Sequence, residues 1–164
     1  MTTLAHVITV SDRSAHGERE DTSGPVAVEA LTDAGYRTRT SLVPDGDAPV
    51  EQELREALAA GARLVITSGG TGLGPRDRTP EGTRPVIDRE VPGLAELLRA
   101  DGARHTPFAA ISRGLVGIVD AGPDGSGALV VNLPGIPKGV RQGLEVLLPL
   151  VGHVLDQIRG GDHR

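Results

Sequence analysis

The sequence predicts an α/β protein of three layers, in which a mainly parallel sheet carries helices on both faces and includes a small β-hairpin. The first half alternates short apolar segments, rich in β-branched residues, with amphipathic segments of helical period. These apolar segments end in serine, aspartate, glycine or proline, as strands that run into loops do. Near the C-terminal end, two apolar segments flank a glycine-rich turn, which predicts the hairpin.

Each element follows from the same pattern. Strands are predicted at residues 5–10, 36–43, 64–67, 115–119 and 128–133, with the turn of the hairpin at 122–127. Residues 13–21 are polar and are predicted to form a loop. Helices are predicted at residues 22–34, 47–61, 80–87, 94–100 and 138–158. Thr22 or Ser23 is predicted to cap the first helix and Asp47 the second. Pro92 and Gly93 are expected to separate the third helix from the fourth, and Pro149 to kink the last.

Composition limits the classes of function. With 164 residues, the chain is predicted to form one domain over 1–164, with a loose tail at 160–164. A net charge of −5 argues against a general nucleic-acid binder. The absence of cysteine excludes disulfides and thiolate zinc sites and fits a reducing cytoplasm. No signal peptide and no membrane span are predicted, so we expect a cytosolic protein that does not contact membranes.

A glycine-rich loop is the strongest chemical signal. Residues 69–74 come shortly after the strand predicted at 64–67, and side chains are nearly absent there, so backbone amides could approach an anion. No Gly-Lys-Ser/Thr follows, so the loop is not a Walker A motif, and Pro75 breaks the dinucleotide-binding pattern. The alternative to an anion site is a plain turn.

Two aspartates lie at the exits of two predicted strands. Asp45 follows the second strand, and Asp77 lies just beyond the glycine loop. In a parallel sheet these exits share one edge, where the two carboxylates could hold Mg²⁺ together with substrate phosphates. The alternatives are an ordinary turn aspartate at Asp45 and a solvated Arg-Asp-Arg triplet that caps the next helix at Asp77.

Two further segments could contribute to an anion site. Lys138, the one lysine among 17 lysines and arginines, begins the last helix after a Pro-Gly-Ile-Pro turn. Its ammonium could bind a phosphate, although a rigid turn and a coding bias towards arginine explain the same pattern. Ser112 and Arg113 could supply a hydroxyl and a guanidinium, or form a plain loop. The histidines show no metal-ligand spacing, and the absence of G-x-S-x-G disfavours a serine hydrolase.

Taken together, four motifs resemble one family. They are Ser-Gly-Gly-Thr-Gly-x-Gly-x-Arg-Asp-x-Thr-Pro-Glu at 68–81, Pro-Gly-Leu-Ala-Glu at 92–96, Ile-Ser-Arg-Gly at 111–114 and Asn-Leu-Pro-Gly-x-Pro-Lys-x-Val-Arg at 132–141. This set resembles the molybdopterin adenylyltransferases of molybdenum-cofactor biosynthesis (Mog/MoaB type), which are related to the N-terminal domain of gephyrin and the C-terminal domain of the plant molybdenum-insertion protein. The resemblance extends from residue 7 to the final helix.

The resemblance implies an activity and a site. The family transfers AMP from Mg-ATP to the terminal phosphate of molybdopterin, releases pyrophosphate before molybdate insertion, and usually forms homotrimers; contact with the molybdate-inserting enzyme is also expected. Asp45 and Asp77 match the positions tied to metal and catalysis. The positions that match substrate-binding segments are Ser11, Asp12, Ser68, Gly69, Gly70, Thr71, Gly72, Ser112, Pro134, Gly135 and Lys138.

Two positions depart from the family pattern, and two other functions stay open. Ile136 stands where a small polar residue is frequent, and Gln142 where glutamate is common. Both could change contacts with the pterin or the nucleotide. The alternatives to an enzyme are a non-catalytic molybdopterin carrier or scaffold and a nucleotide-binding protein of an unrelated pathway.

Overall fold

The computed structural model describes residues 2–162 and contains a mixed six-stranded sheet. The strands are β1 (Leu4–Val10), β2 (Arg37–Val43), β3 (Leu64–Ser68), β4 (Arg89–Glu90), β5 (Val116–Val119) and β6 (Ala128–Leu133). They lie in the order β2-β1-β3-β6-β5-β4. The four strands β2, β1, β3 and β6 are mutually parallel, whereas β5 runs antiparallel to β6, and β4 antiparallel to β5.

Helices cover both faces of this sheet. They are α1 (Asp12–Ala15), α2 (Ser23–Asp33), α3 (Asp47–Ala59), α4 (Thr79–Thr83), α5 (Pro92–Ala103) and α6 (Pro137–Ile158), with a 3₁₀ helix at Pro107–Ile111. Apolar residues of α2, α5 and α6 pack on one face of the sheet, and those of α3 pack on the other. The three-layer α/β architecture predicted from the sequence is therefore confirmed.

The sheet brings the ends of its parallel strands side by side. All residues of β1, β3 and β6 are buried, because helices cover both of their faces. In the register, Ser68 at the end of β3 lies beside Thr9 of β1 and Leu133 of β6, and Val10 lies beside Val43 of β2. The four loops that follow these strands therefore leave the sheet along one edge.

Most predicted elements are confirmed to within a few residues, including the antiparallel pairing of β5 with β6. The prediction of a loop over 13–21 is wrong at its start, because Ser11 caps a short helix by accepting a bond from the Ser14 amide at 3.2 Å. The helix predicted at 80–87 ends at Thr83, shortly before Pro85. Pro92 does not interrupt a helix but begins α5, where its missing N–H costs nothing.

Strand β4 and the 3₁₀ helix were not predicted, since both are shorter than a periodic pattern can reveal. Helix α6 continues through Pro149, and the kink there stays a prediction. Of the tail predicted at 160–164, residues 163 and 164 lie outside the described residues. Within residues 2–162, no helix is both long and apolar enough to cross a bilayer.

Candidate functional site

A polar cavity of about 340 Å³ opens at the edge where the parallel strands end. Loops after β1, β2, β3 and β6 all reach it, as expected for an open parallel sheet. It is lined by Thr9, Val10, Ser11, Ser14, Arg19, Glu20, Asp21, Thr22, Ser23, Asp45, Ser68, Gly69, Gly70, Thr71, Gly72, Asp77, Gly135 and Ile136.

The glycine loop forms one wall of this polar cavity, since residues 69–72 all line it. Gly69 and Gly70 have φ of +107° and +68°, values that residues other than glycine rarely adopt. A Cβ at Gly69 would lie 2.2 Å from the Val10 carbonyl oxygen. Within residues 2–162, the amides of Gly70, Thr71 and Gly72 donate to no protein acceptor. They are available to an anion.

Buried polar side chains of α4 and β6 hold the glycine loop in place through hydrogen bonds. The Thr79 hydroxyl donates to the Gly69 carbonyl at 2.8 Å, and the Thr79 amide donates to the Gly70 carbonyl at 3.0 Å. The Thr83 hydroxyl donates to the Thr79 carbonyl, and the Asn132 amide group donates to the Thr83 hydroxyl at 3.0 Å. Because these partners are buried and satisfied, they fix α4 and the glycine loop as one unit.

Asp45 and Asp12 bind each other's backbone at the exits of β2 and β1. The Asp12 amide donates to Asp45 Oδ2 at 3.0 Å, and the Asp45 amide donates to Asp12 Oδ1 at 3.1 Å. Arg76 joins this pair to the glycine loop, since its guanidinium donates to both Asp12 oxygens at 3.1 Å and to the Asp45 carbonyl at 2.9 Å. The Arg76 guanidinium holds the pKa of Asp12 below its ordinary value.

Asp77 faces the same cavity as Asp45. Its Oδ2 accepts a bond from the Gly74 amide at 2.9 Å, and a Cβ at Gly72 or Gly74 would lie 3.0 or 2.8 Å from that oxygen. Burial raises the pKa of Asp45, and the negative charges of Asp12 and Asp77 raise it further. The repulsion between these carboxylates is what a bound cation would relieve.

The donor set fits a divalent cation of the magnesium type. Residues 2–162 contain no group of three or more His, Cys, Asp or Glu side chains placed to hold a metal ion. Two carboxylates, with the remaining ligands supplied by water and substrate phosphates, are the usual protein contribution to a Mg²⁺ site. Asp45 and Asp77 both line the polar cavity and are the residues that could hold such an ion.

Arg113 also holds the glycine loop, through bonds to backbone carbonyls and to a carboxylate. Its Nε donates to the Gly72 carbonyl at 2.8 Å, its Nη2 to the Asp77 carbonyl at 2.7 Å, and its Nη1 to the Glu81 carboxylate. The bond from Arg113 also lowers the pKa of Glu81. The guanidinium is thus occupied by the protein, so the sequence-based alternative that it binds an anion directly is not supported by its contacts.

A second cavity, of about 330 Å³, adjoins the first. Its walls are mainly apolar and come from α5, the 3₁₀ helix and the start of α6. Thr71, Gly72, Gly135 and Ile136 line both cavities, which places a boundary between a polar and an apolar compartment at the glycine loop. Phe108 lies at the rim and is 76% exposed, so it encloses little by itself.

The structure brings most of the predicted site residues together. Ser11, Asp45, Asp77 and the segment 68–72 line the polar cavity, Ser112 and Pro134 line the apolar cavity, and Gly135 lines both. Ser68 is buried and donates to the Pro134 carbonyl at 3.0 Å. Asp12 lines neither cavity but binds Asp45 directly. Lys138 is exposed and lines neither cavity.

Sequence reasoning missed several residues of the site. Arg19 and Asp21 lie in the segment that was predicted to be a plain loop, yet both line the polar cavity. Arg76 and Asn132 belong to the motifs, but no role was predicted for them; in the structure both form hydrogen bonds that hold the loops in place. An isolated charged residue in a loop gives no indication of its position until the fold is known. The available signal was the segment Asp-Thr-Ser-Gly at 21–24, which spans the start of α2.

The comparisons with known proteins agree with this geometry. The sequence model of a family described as "probable molybdopterin binding domain" matches residues 6–153. The molybdenum cofactor biosynthesis bifunctional protein of Synechococcus elongatus is 40% identical over 98% of this chain, which spans 49% of that protein's length. The molybdopterin adenylyltransferase of Pyrococcus furiosus is 39% identical, over 93% of this chain and 89% of its own.

Solved structures give the same answer. The molybdopterin biosynthesis Mog protein of Mycobacterium ulcerans superposes with a TM-score of 0.88 at 42% identity, over 98% of this chain and 99% of that chain. The residues matched by the family model, 6–153, include all the loops that line the two cavities. The chain therefore belongs to the molybdopterin-binding domain family of molybdenum cofactor biosynthesis.

Proposed function

We propose that the chain is a molybdopterin adenylyltransferase, which transfers AMP from Mg-ATP to the terminal phosphate of molybdopterin. One observation carries the proposal: a cavity lined by unpaired loop amides and by Asp45 and Asp77 shares four lining residues with an adjoining apolar cavity. The first compartment suits phosphates with a cation, and the second suits a ring system. The names of the relatives in Pyrococcus furiosus and Escherichia coli support the same reaction.

The reaction needs positioning and charge stabilisation more than covalent help. An oxygen of the molybdopterin phosphate forms a bond to the α-phosphorus of ATP, while the bond from that phosphorus to the bridging oxygen breaks. The bridging oxygen leaves with the electron pair, as part of pyrophosphate. The amides of Gly70, Thr71 and Gly72 would stabilise the charge on the phosphate oxygens, and the rigid loop would keep the two phosphates aligned.

Asp45 and Asp77 would hold the cation. A bound Mg²⁺ neutralises part of the phosphate charge in such reactions. Arg76 keeps the β2–α3 loop against the glycine loop, and Arg113 fixes the backbone of Asp77. These two arginines would therefore set the position of the two carboxylates relative to each other.

The test combines purified protein, Mg-ATP and molybdopterin, and measures the release of pyrophosphate. Asp77→Asn should lower turnover by about a hundredfold or more, while molybdopterin binding changes little, because the carboxylate acts on the transition state. Asp33→Asn, an exposed aspartate at the end of α2, is the matched control and should behave as wild type.

Other outcomes would favour the alternatives. Tight molybdopterin binding without pyrophosphate release would identify a carrier or scaffold. Release of no pyrophosphate together with no molybdopterin binding would indicate a nucleotide-binding protein of another pathway. Equal loss of turnover and molybdopterin binding in Asp77→Asn would contradict the role given to Asp77.

Three finer statements belong to the same proposal. We expect a homotrimer, a cytoplasmic location, and contact with the enzyme that inserts molybdate into the adenylylated product. The trimer is checked by sedimentation equilibrium of the purified chain. The contact is checked by whether adding the molybdate-inserting enzyme speeds the appearance of finished cofactor beyond free diffusion of the intermediate.

A further inference from the structure

We infer that Arg19 binds the β- and γ-phosphates of ATP in the polar cavity and stabilises pyrophosphate as it leaves. This inference rests on the proposed function and extends it to a residue that no motif of the sequence singles out. It follows from the balance of charge in the cavity, from the partners of the neighbouring arginines, and from the way the backbone around Arg19 is held.

Most charged side chains that line the polar cavity are acidic. Glu20, Asp21, Asp45 and Asp77 all contribute to its lining. A nucleoside triphosphate carries more negative charge than one divalent cation neutralises, so its outer phosphates need a further positive group. Among the described residues that line the cavity, Arg19 is the one lysine or arginine.

The other basic residues near the site already have carboxylate partners or lie elsewhere. Arg76, Arg78 and Arg113 each form an ion pair on the glycine-loop side, with partners that comprise Asp12, Asp47 and Glu81. Lys138 lines neither cavity. A phosphate that recruited one of the three paired arginines would break a contact that holds the loops together.

Arg19, in contrast, has no carboxylate partner among residues 2–162. Its side chain is exposed, and within residues 2–162 it forms neither a side-chain hydrogen bond nor an ion pair. The guanidinium is planar, always charged and carries five N–H donors in a fixed geometry, so it can bind two phosphate oxygens at once.

The backbone on both sides of Arg19 is nevertheless anchored. The Glu18 amide donates to the Arg13 carbonyl at 2.9 Å. Asp21 accepts a bond from the Thr9 hydroxyl at 2.8 Å and another from the Gly24 amide at 2.9 Å. The Arg19 side chain is thus carried beside the cavity by a fixed segment while its guanidinium remains available.

The chemistry of the step gives this position a purpose. As the bond between the α-phosphorus and the bridging oxygen breaks, negative charge grows on the β-phosphate. A guanidinium at the outer phosphates strengthens its interaction during that change, so Arg19 contributes to turnover as well as to ATP binding. Molybdopterin and AMP do not carry these outer phosphates, and their binding should not depend on Arg19.

Calorimetric titration tests the inference with Mg-ATP and with AMP as probes. Arg19→Gln should weaken Mg-ATP binding by about tenfold to a hundredfold, the range for loss of a charged hydrogen-bonding group, and leave AMP binding within about twofold. Arg19→Lys should recover part of the Mg-ATP affinity. Arg13→Gln, an exposed arginine of the same segment that lines neither cavity, should match wild type with both nucleotides.

The outcomes separate this inference from the proposed function. If wild type binds Mg-ATP and Arg19→Gln binds it equally well, the role of Arg19 is overturned and the proposed function stands. If Arg19→Gln loses affinity for AMP and Mg-ATP in equal measure, the contact with the outer phosphates is likewise overturned. If wild type binds no Mg-ATP, both the proposed function and this inference are overturned.

Discussion

Replacing Gly70 with alanine tests whether the glycine loop depends on a backbone that excludes side chains. A Cβ at Gly70 would lie 2.2 Å from the Thr79 hydroxyl oxygen and 3.2 Å from the Thr79 Cβ, and φ there is +68°. Thr79 is fully buried and cannot move into solvent. The substitution must therefore displace the hydroxyl that donates to the Gly69 carbonyl at 2.8 Å.

Two contributions set the magnitude for Gly70→Ala. The left-handed backbone costs a non-glycine residue about 1–2 kcal/mol. Loss of the bond from Thr79 leaves a buried donor and acceptor unpaired, which costs about 1–3 kcal/mol more. We expect the free energy of unfolding to fall by about 2–5 kcal/mol in total, which lowers the melting temperature by about 3 °C per kcal/mol for a domain of this size.

Gly125→Ala is the matched control. Gly125 has φ of +73° but nothing within 4 Å of its added Cβ, so it carries the backbone cost alone. Urea unfolding of both variants at one pH measures the difference. Equal losses in Gly70→Ala and Gly125→Ala would refute the argument that the loop is held by close approach to Thr79, since only the backbone term would then remain.

Three further predictions concern other parts of the molecule. Arg113→Ala should lower the free energy of unfolding by about 1–3 kcal/mol and reduce turnover, because three acceptors lose their donor, and Arg113→Lys should recover only part of both quantities. Burial lowers the pKa of His6 below its ordinary value of 6.5, so the unfolded chain takes up a proton first as the pH falls; stability should decrease as the pH falls below about 6.5, and His6→Gln should flatten that slope in urea titrations. Lys138→Ala should leave the KM for Mg-ATP within about twofold, because an exposed residue away from both cavities contributes little; a tenfold rise would restore the phosphate-binding role suggested by the sequence.

The sequence was sufficient to predict that several segments of the site meet at one edge of the sheet. Periodicity indicates which segments are strands and which are helices, and a parallel sheet places the exits of its strands on one side. For that reason Asp45 and the glycine loop, 24 or more residues apart along the chain, were expected to face one cleft, and the polar cavity contains both. The same argument located Ser11 and Gly135.

The remainder depends on side chains that meet only after folding. Arg113 contacts Gly72 and Asp77 from a loop more than 30 residues away, and no period or turn signal encodes that direction. Lys138 was placed at the site because it begins a helix at a strand exit, yet the first turn of α6 carries its side chain outwards. The start of a helix fixes the backbone, whereas the side chain's direction depends on the position within the turn.

Gly69 and Gly135 come from loops that follow β3 and β6, and a Cβ added to Gly135 would lie 3.3 Å from the Gly69 Cα. Beside the boundary between the two cavities, two main chains are therefore in near contact. A side chain at Gly135 would require the neighbouring loop to shift by a few tenths of an ångström, and one at Gly69 would clash with the Val10 carbonyl oxygen at 2.2 Å. Differences in ligand preference among proteins with this domain should therefore occur at neighbouring side chains such as Ile136 and Phe108, and rarely at these two glycines.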